Sequence, residues 1–320
     1  MHLAPRLAAF AAFFGLVGNT FADGWRVSRR LNISSSIDVR GTPDRNSTAT
    51  PHGDLRGLCW LGSDGQLLAS VVGGGSGRLL LWSLHAGAVA AAVDFPTAIE
   101  GSVQGSTAFS KIGGAGCVDA DARGNFLAVG GDSGSVGLWD VSQRGTALHR
   151  IGSGFVVPGN GGVVGLKCCV DGIVTAATTH GTFASFDSRV GSAAVSTVKA
   201  RGMQAAACSG GEGKDYLWAT SCGRSVCIVD MRGSGVVATL NSHSAPVRGV
   251  CFDSSGSMIA SGGVDRCVRI WDSNASSGDS ELAFFKCNNS ATAVAGADFK
   301  RCLVVGDECG SLWNLRLLGH

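Results

Sequence analysis

Charge is scarce in this chain. Charged residues make up 16% of the 320 residues, and the formal net charge is only +2. Generic nucleic-acid binding depends on a clustered excess of lysine and arginine, so this balance argues against a specific nucleic-acid partner. Beyond residues 7–17 no apolar run approaches the roughly 18 residues of a membrane-spanning helix, and we expect no membrane span.

The usual signatures of catalysis and of cofactor binding are also missing. The sequence has neither a Gly-x-Ser-x-Gly elbow nor a phosphate-binding loop that ends in Lys-Ser/Thr. The glycines at 73–77 lead into a predicted strand, so they lack the helix N-terminus that holds phosphate. Cys222 and Cys227 are five apart with no second ligand pair, which favours core packing over zinc binding. We therefore predict no enzyme activity, no cofactor and no metal site.

The cysteine pattern does not indicate a disulfide scaffold. The 12 cysteines are about 4% of the chain, against the roughly 8–10% of small disulfide-rich domains. Several, such as Cys59, Cys168 and Cys251, lie in apolar runs, where cysteine acts as a small hydrophobe. We therefore expect a reduced protein of the cytoplasm or nucleus. The alternative is a secreted protein with residues 1–22 as a signal peptide, since a small-residue segment follows the apolar run at 7–17.

Glycine is abundant. Its 49 residues have no three-residue period and lie among short apolar runs. This arrangement is typical of short strands joined by tight turns, and it predicts an all-β fold.

A repeat of strand, turn, strand, turn and strand recurs along the chain. Its best copy, residues 245–272, ends in Trp271-Asp272. The matching ends are Trp82, Trp139, Phe186, Val229, Trp271 and Trp313. These positions differ by 57, 47, 43, 42 and 42 residues. A period of about 40–45 residues matches the four-stranded blade of a propeller.

The Trp-Asp ends and the period resemble the WD-repeat family over about residues 52–318. The resemblance implies a single β-propeller spanning 1–320, with recognisable blades at 51–95, 109–150, 155–196, 200–240, 242–285 and 288–320. It also implies a structural hydrogen-bonded set in the best copy, in which Asp265 fixes His243 and Ser261 links toward Trp271. A buried polar group without a partner costs about 1–3 kcal/mol, so such a set has a physical reason.

The number of blades depends on residues 1–50. We favour seven blades, the first being a degenerate blade within 1–50. In the alternative of six blades, residues 1–24 are a targeting segment and residues 25–33 close the ring. In both arrangements we expect an N-terminal strand to close the ring, because the chain ends soon after Trp313.

Two sets of arginines are candidate partner-binding residues. Arg56, Arg201 and Arg248 are predicted to start first strands at one rim, where they could hold an acidic peptide. Arg189 and Arg232 follow Asp187 and Asp230 in an Asp-x-Arg pattern. This pattern resembles the element with which WD-repeat substrate receptors dock onto a cullin-type ubiquitin-ligase adaptor; the competing interpretation is a local surface ion pair.

The favoured function is therefore that of a non-enzymatic scaffold for proteins or peptides, a WD-repeat subunit of a larger intracellular complex. The alternatives are a substrate receptor of a cullin-type ubiquitin ligase and a secreted or luminal binding protein. Fold alone does not choose among them, since propellers serve many roles.

Overall fold

A computed structural model of the chain describes residues 54–317 with internal gaps, of which 95–114 is the longest. All regular elements in this part of the chain are β-strands, and none is a helix. The all-β prediction is confirmed.

The strands form six antiparallel sheets that follow one another along the chain. Sheet one contains β1 (Asp54–Leu61), β2 (Leu67–Gly73), β3 (Arg78–Ser83) and β4 (Ala88–Asp94). Sheet two contains β5 (Ala115–Ala120), β6 (Phe126–Gly131), β7 (Ser135–Val141) and β8 (Leu148–Val156). Sheet three contains β9 (Val163–Cys168), β10 (Ile173–Thr178), β11 (Thr182–Asp187) and β12 (Ala194–Lys199).

The remaining sheets have the same order. Sheet four contains β13 (Ala206–Cys208), β14 (Leu217–Cys222), β15 (Ser225–Asp230) and β16 (Gly235–Asn241). Sheet five contains β17 (Val247–Phe252), β18 (Met258–Gly263), β19 (Cys267–Asp272) and β20 (Glu281–Lys286). Sheet six has three described strands, β21 (Ala291–Asp298), β22 (Cys302–Asp307) and β23 (Leu312–Leu315).

The first strands of consecutive sheets lie side by side. Near the start of β1, a Cβ added to Gly57 would lie 3.0 Å from Val118 N of sheet two. Near the start of β17, a Cβ added to Gly249 would lie 3.2 Å from Val294 N of sheet six. We call the end at which first strands begin the upper end, and the end at which first and third strands finish the lower end.

The hydrophobic core lies between the sheets. Five clusters of buried side chains each join one sheet to the next, from sheet one through sheet six. Between sheets three and four, for example, Phe183 packs edge-on against Trp218, with ring centroids 5.5 Å apart. Face-to-face burial of radially arranged sheets is the packing of a β-propeller.

Sheet one is covered on both faces. Leu79 and Leu81 contribute to the cluster shared with sheet two, whereas Leu68 and Leu80, on the opposite face, are only 2% and 3% exposed. Burial of both faces is what a sheet within a ring requires. The part of the chain that the structure describes has six blades. The predicted seventh blade and the N-terminal closing strand fall within residues 1–50, outside the described residues, and both stay predictions.

Aspartates set the tight turns at the lower end. Asp121 Oδ1 accepts hydrogen bonds from the N–H groups of Asn125 and Phe126, at 2.6 and 2.9 Å. Asp253 Oδ1 does the same for Met258 N, at 2.8 Å. Each side chain therefore replaces a backbone acceptor within the hairpin, which is why Asp favours turns.

The large aromatic residue of the blade changes strand in sheet four. In sheet five, Trp271 on the third strand pairs in register with Ile259 on the second. In sheet four the third strand has Val229, and its register partner is Trp218. Both tryptophans are almost completely buried. The aromatic volume is thus kept on the same face of the blade, although the repeat pattern at Val229 has lost its tryptophan.

Close packing between sheets three and four makes Gly165 a sensitive position. A Cβ added there would lie 2.9 Å from Ala206 Cβ and 3.0 Å from the Trp218 ring. We expect Gly165→Ala to lower the free energy of unfolding by about 1–3 kcal/mol, the usual cost of overpacking. Urea denaturation followed by tryptophan fluorescence measures this loss.

Gly210→Ala is the matched control, because no atom lies within 4 Å of its added Cβ. Its stability should stay within about 0.5 kcal/mol of the wild type. Equal stability of the two variants would contradict the described contact between sheets three and four.

Candidate functional site

A buried chain of hydrogen bonds crosses the upper half of sheet five. Trp271 Nε1 donates to Ser261 Oγ at 2.8 Å, and Ser261 Oγ lies 2.8 Å from His243 Nε2. His243 Nδ1 lies 2.9 Å from Asp265 Oδ2. The side chains of His243 and Asp265 are 0% and 4% exposed. The structure thus brings together all four residues of the set that the family resemblance implies.

This chain of bonds requires a neutral histidine. Burial lowers the pKa of His243, and this effect outweighs the favourable charge of Asp265. Burial raises the pKa of Asp265, but hydrogen bonds from His243, Ser244 N and Cys267 N outweigh this effect and leave its pKa below the usual value. Nδ1–H of a neutral ring donates to the carboxylate, and Nε2 accepts from Ser261. The arrangement is structural, because every polar atom in it already has a protein partner.

Other sheets contain reduced versions of this chain. In sheet one, Trp82 Nε1 donates to Ser70 Oγ at 2.8 Å. In sheet six, Asp307 Oδ2 accepts from Asn289 Nδ2 at 3.3 Å and from Trp313 Nε1 at 3.4 Å. The sequence reasoning missed these partners, and Ser70 could have been found because it aligns with Ser261.

In sheet four the tryptophan lies on the second strand, at Trp218, and its indole nitrogen is unpaired within the described part of the chain. This nitrogen, Trp218 Nε1, is also buried. Trp271 Nε1, in contrast, anchors the polar chain of sheet five. The two tryptophans therefore fill similar volumes, but among the described residues only the indole N–H of Trp271 has a hydrogen-bond acceptor.

We expect Trp271→Phe to destabilise the protein more than Trp218→Phe. Both changes remove the same ring atoms, but only Trp271→Phe breaks a hydrogen bond, which contributes about 0.5–1.5 kcal/mol. Urea denaturation of both variants measures the difference. Equal losses would show that the Trp271–Ser261 bond contributes no net stability.

The three candidate arginines of the rim all lie at the upper end, but in different environments. Arg56 and Arg248 occupy bulges near the starts of β1 and β17. Arg56 pairs with Asp132 of sheet two, Nη1 to Oδ1 at 3.6 Å, and its side chain is 33% exposed. Arg248 is exposed. The prediction that Arg201 starts a first strand is wrong in position: it is exposed in the loop before β13, because the ladder of sheet four begins only at Ala206.

Arg201 and Arg248 therefore lie at the upper end of adjacent sheets, four and five. Arg56 belongs to sheet one, and its charge is partly satisfied by Asp132. The structure brings two of the three residues to neighbouring blades and engages the third in an inter-blade ion pair.

The two Asp-x-Arg segments form matching ion pairs at the lower end. Arg189 Nε and Nη2 donate to Asp187 Oδ1 and Oδ2 at 2.9 and 2.8 Å. Arg232 contacts Asp230 in the same way, at 3.2 and 2.8 Å. Hydrogen bonds from Arg189 lower the pKa of Asp187 to about 2, and those from Arg232 lower the pKa of Asp230.

These arginines are held in place while remaining accessible. The side chains of Arg189 and Arg232 are 65% and 62% exposed. The Arg232 guanidinium also lies over the Tyr216 ring, 3.3 Å from its centroid, in a cation–π contact. Both local ion pairs exist, as the simpler interpretation predicted, and both present guanidinium groups on neighbouring sheets.

Groups that could supply chemistry are not clustered among the described residues. There, no three histidine, cysteine, aspartate or glutamate side chains come together as metal ligands would. Residues 54–317, where described, also contain no helix of the length and apolarity that a membrane crossing needs.

A comparison with known protein families matches one repeat of the chain. The family model described as WD domain, G-beta repeat, matches residues 234–272. The match runs from the outer strand of sheet four through the first three strands of sheet five, and it includes the four residues of the polar chain. The six blades of one strand order form a β-propeller, and the match within sheets four and five confirms the resemblance to the WD-repeat family that the sequence indicates. No curated protein matches the chain significantly.

The buried histidine predicts a stability that falls as the pH is lowered. Because the folded-state pKa of His243 is below the value of about 6.5 in an unfolded chain, protonation below pH 6.5 favours unfolding. The stabilising contribution of neutral His243 is present above about pH 6.5 and is lost as the pH falls from there toward the lower folded-state pKa. We expect the stability gap between wild type and His243→Gln to narrow over this range in urea titrations.

His180→Gln is the control for this experiment, because His180 is an exposed histidine. Its stability should follow the wild type across the same pH range. A gap between wild type and His243→Gln that widens toward acid would mean that the buried ring is protonated in the folded protein.

Proposed function

We propose that this protein is a non-enzymatic interaction scaffold whose upper end binds an acidic peptide of a partner protein. The observation that supports this proposal is the exposure of Arg201 and Arg248 at the upper end of adjacent sheets. Loops carried by a rigid scaffold are common binding surfaces. Guanidinium groups bind carboxylates with two parallel hydrogen bonds, which favours an acidic ligand.

The partner complex is proposed to be cytoplasmic or nuclear. All twelve cysteines of the chain are free thiols, as a reducing compartment permits. The alternative of a secreted protein depends on residues 1–22, which lie outside the described residues.

A second proposed function is that of a receptor for a cullin-type ubiquitin ligase. It is favoured by the matching geometry of the Asp187–Arg189 and Asp230–Arg232 pairs on adjacent sheets. Each arginine is held by its aspartate, so little side-chain entropy would be lost on binding. This function would use the lower end and could coexist with peptide binding at the upper end.

One set of variants separates the two ends. We expect Arg201→Ala/Arg248→Ala to weaken binding of an acidic peptide by about 30-fold, the effect of a 2 kcal/mol hot spot. Fluorescence anisotropy with labelled glutamate-rich, phosphorylated and neutral peptides measures this change. Binding should also weaken with added salt, because exposed charge pairs are screened.

The lower end is tested by native purification and mass spectrometry of wild type and Arg189→Ala/Arg232→Ala. Selective loss of a ligase adaptor from this variant would support the receptor function. Arg301→Ala is the control, since its side chain is 88% exposed at a different site. The scaffold proposal fails if no acidic peptide binds and neither double variant loses any stable partner.

A further inference from the structure

Two cysteines of sheet four lie on one face of a hairpin. Strands β14 and β15 pair Cys222 with Ser225 and Thr220 with Cys227. Because directly paired residues of antiparallel strands point to the same face, and side chains alternate along a strand, both cysteines project from that face. Cys222 and Cys227 are diagonal neighbours across two strands.

The two thiols occupy the place of the polar chain of sheet five. In each sheet one register pair contains the buried tryptophan: Trp218 with Val229 in sheet four, and Trp271 with Ile259 in sheet five. The pair two residues further along the strands is Thr220 with Cys227 in sheet four and Ser261 with Arg269 in sheet five. By the same register, Cys222 corresponds to Gly263. A Cβ added to Gly263 would lie 2.8 Å from His243 Nδ1, so the histidine ring fills that space in sheet five.

The hydroxyl groups around the thiols are close. Thr220 Oγ1 lies 3.3 Å from Cys222 Sγ, and Thr239 Oγ1 lies 3.9 Å from Cys227 Sγ. Cys222 is partly exposed, whereas Cys227 is only 2% exposed. One sulfur is therefore accessible from solvent, whereas the other is buried.

The electrostatic environment distinguishes the two sulfurs. The neighbouring Cys227 thiol, the Thr220 hydroxyl and the charge of Arg201 lower the pKa of Cys222 to about 6, although burial opposes this shift. The proximity of Cys222, together with burial, raises the pKa of Cys227. Burial raises the pKa of other thiols as well, such as Cys59 and Cys251. An accessible thiolate next to a protonated, buried thiol is the arrangement of an attacking and a resolving cysteine.

We propose that Cys222 and Cys227 form a reversible dithiol–disulfide site that exchanges with small-molecule disulfides of the glutathione type. This inference is independent of the proposed scaffold function. It replaces the prediction that these cysteines serve only core packing.

The exchange takes two displacement steps. The Cys222 thiolate attacks one sulfur of the small disulfide, forming a mixed disulfide and releasing one thiolate, which takes a proton from water. The Cys227 thiol then loses its proton, and its thiolate attacks the Cys222 sulfur; the second small molecule leaves as a thiolate and takes up a proton. In total the protein loses two electrons and two protons, and one small disulfide becomes two thiols.

The geometry makes the product disulfide easily reversed. Diagonal partners on antiparallel strands have Cα atoms about 7–8 Å apart, whereas disulfides usually join Cα atoms within about 4.4–6.8 Å. Closure therefore requires the hairpin tip to shift, and strained disulfides are readily reduced. Gly223 at this tip has φ +63° and accepts a hydrogen bond from Val247 N at 2.8 Å. Oxidation would thus displace the tip against the strand that carries Arg248.

The decisive experiment is a tryptic map of the full chain after incubation with oxidised glutathione and acid quenching. Trypsin cleaves after Arg224, so the proposed disulfide joins the peptides 215–224 and 225–232. We expect this linked pair in wild type and its loss on addition of reduced glutathione. Cys227→Ser should instead accumulate one glutathione on Cys222, and Cys222→Ser should give neither product.

Cys309, which is exposed, provides an internal comparison. Cys309→Ser should still form the linked pair. At pH 6 iodoacetamide should modify Cys222 on the order of tenfold faster than free cysteine, because a larger thiolate fraction outweighs its lower nucleophilicity. The proposal is overturned if glutathione modifies Cys309 in preference to Cys222, or if the linked pair forms only in denatured protein.

Discussion

Every blade of this protein depends on burial of both faces of its sheet against its neighbours. A four-stranded sheet standing alone would leave both apolar faces in water, and burial of a single large apolar side chain contributes about 1.5–3 kcal/mol. The clusters between consecutive sheets provide this burial from sheet one to sheet six. Since each cluster draws side chains from two sheets, no blade is an independent unit, as is usual for repeat architectures.

This dependence explains which parts of the repeat are kept and which vary. Aromatic volume at the third-strand position is maintained even where the tryptophan is lost, since Trp218 on the neighbouring strand supplies it in sheet four. The polar chain varies more, from four residues in sheet five to the Ser70–Trp82 pair of sheet one. Packing is required at every interface, whereas the hydrogen bonds add local order to a loop. A blade that loses His243 or its equivalent can therefore place other side chains in the same space, as sheet four does with two thiols.

The candidate binding residues lie outside the packed core. The exposed arginines lie in loops, bulges and turns at the two ends of the sheets, and their side chains do not contribute to the clusters. The ends differ in character. At the lower end the arginines are held by adjacent aspartates, while at the upper end Arg201 and Arg248 are exposed. All four arginines are exposed, and only those at the lower end are preorganised by an aspartate; the two proposed functions are based on this difference.

By itself the sequence determined the fold class and the repeat, which depend on local patterns: the period of about 42 residues, strand-length apolar runs and turn residues. The polar set of His243, Ser261, Asp265 and Trp271 was implied by the resemblance of the best repeat to the WD-repeat family. The Asp-x-Arg ion pairs also follow from sequence, since partners two residues apart meet wherever the strand ends. Only the tertiary structure decided that Trp218 replaces the aromatic residue missing at Val229, that Arg56 pairs with Asp132, and that Cys222 and Cys227 share one face. Each of these contacts depends on strand register or on packing between sheets, which bring together residues whose separation along the chain follows no fixed spacing.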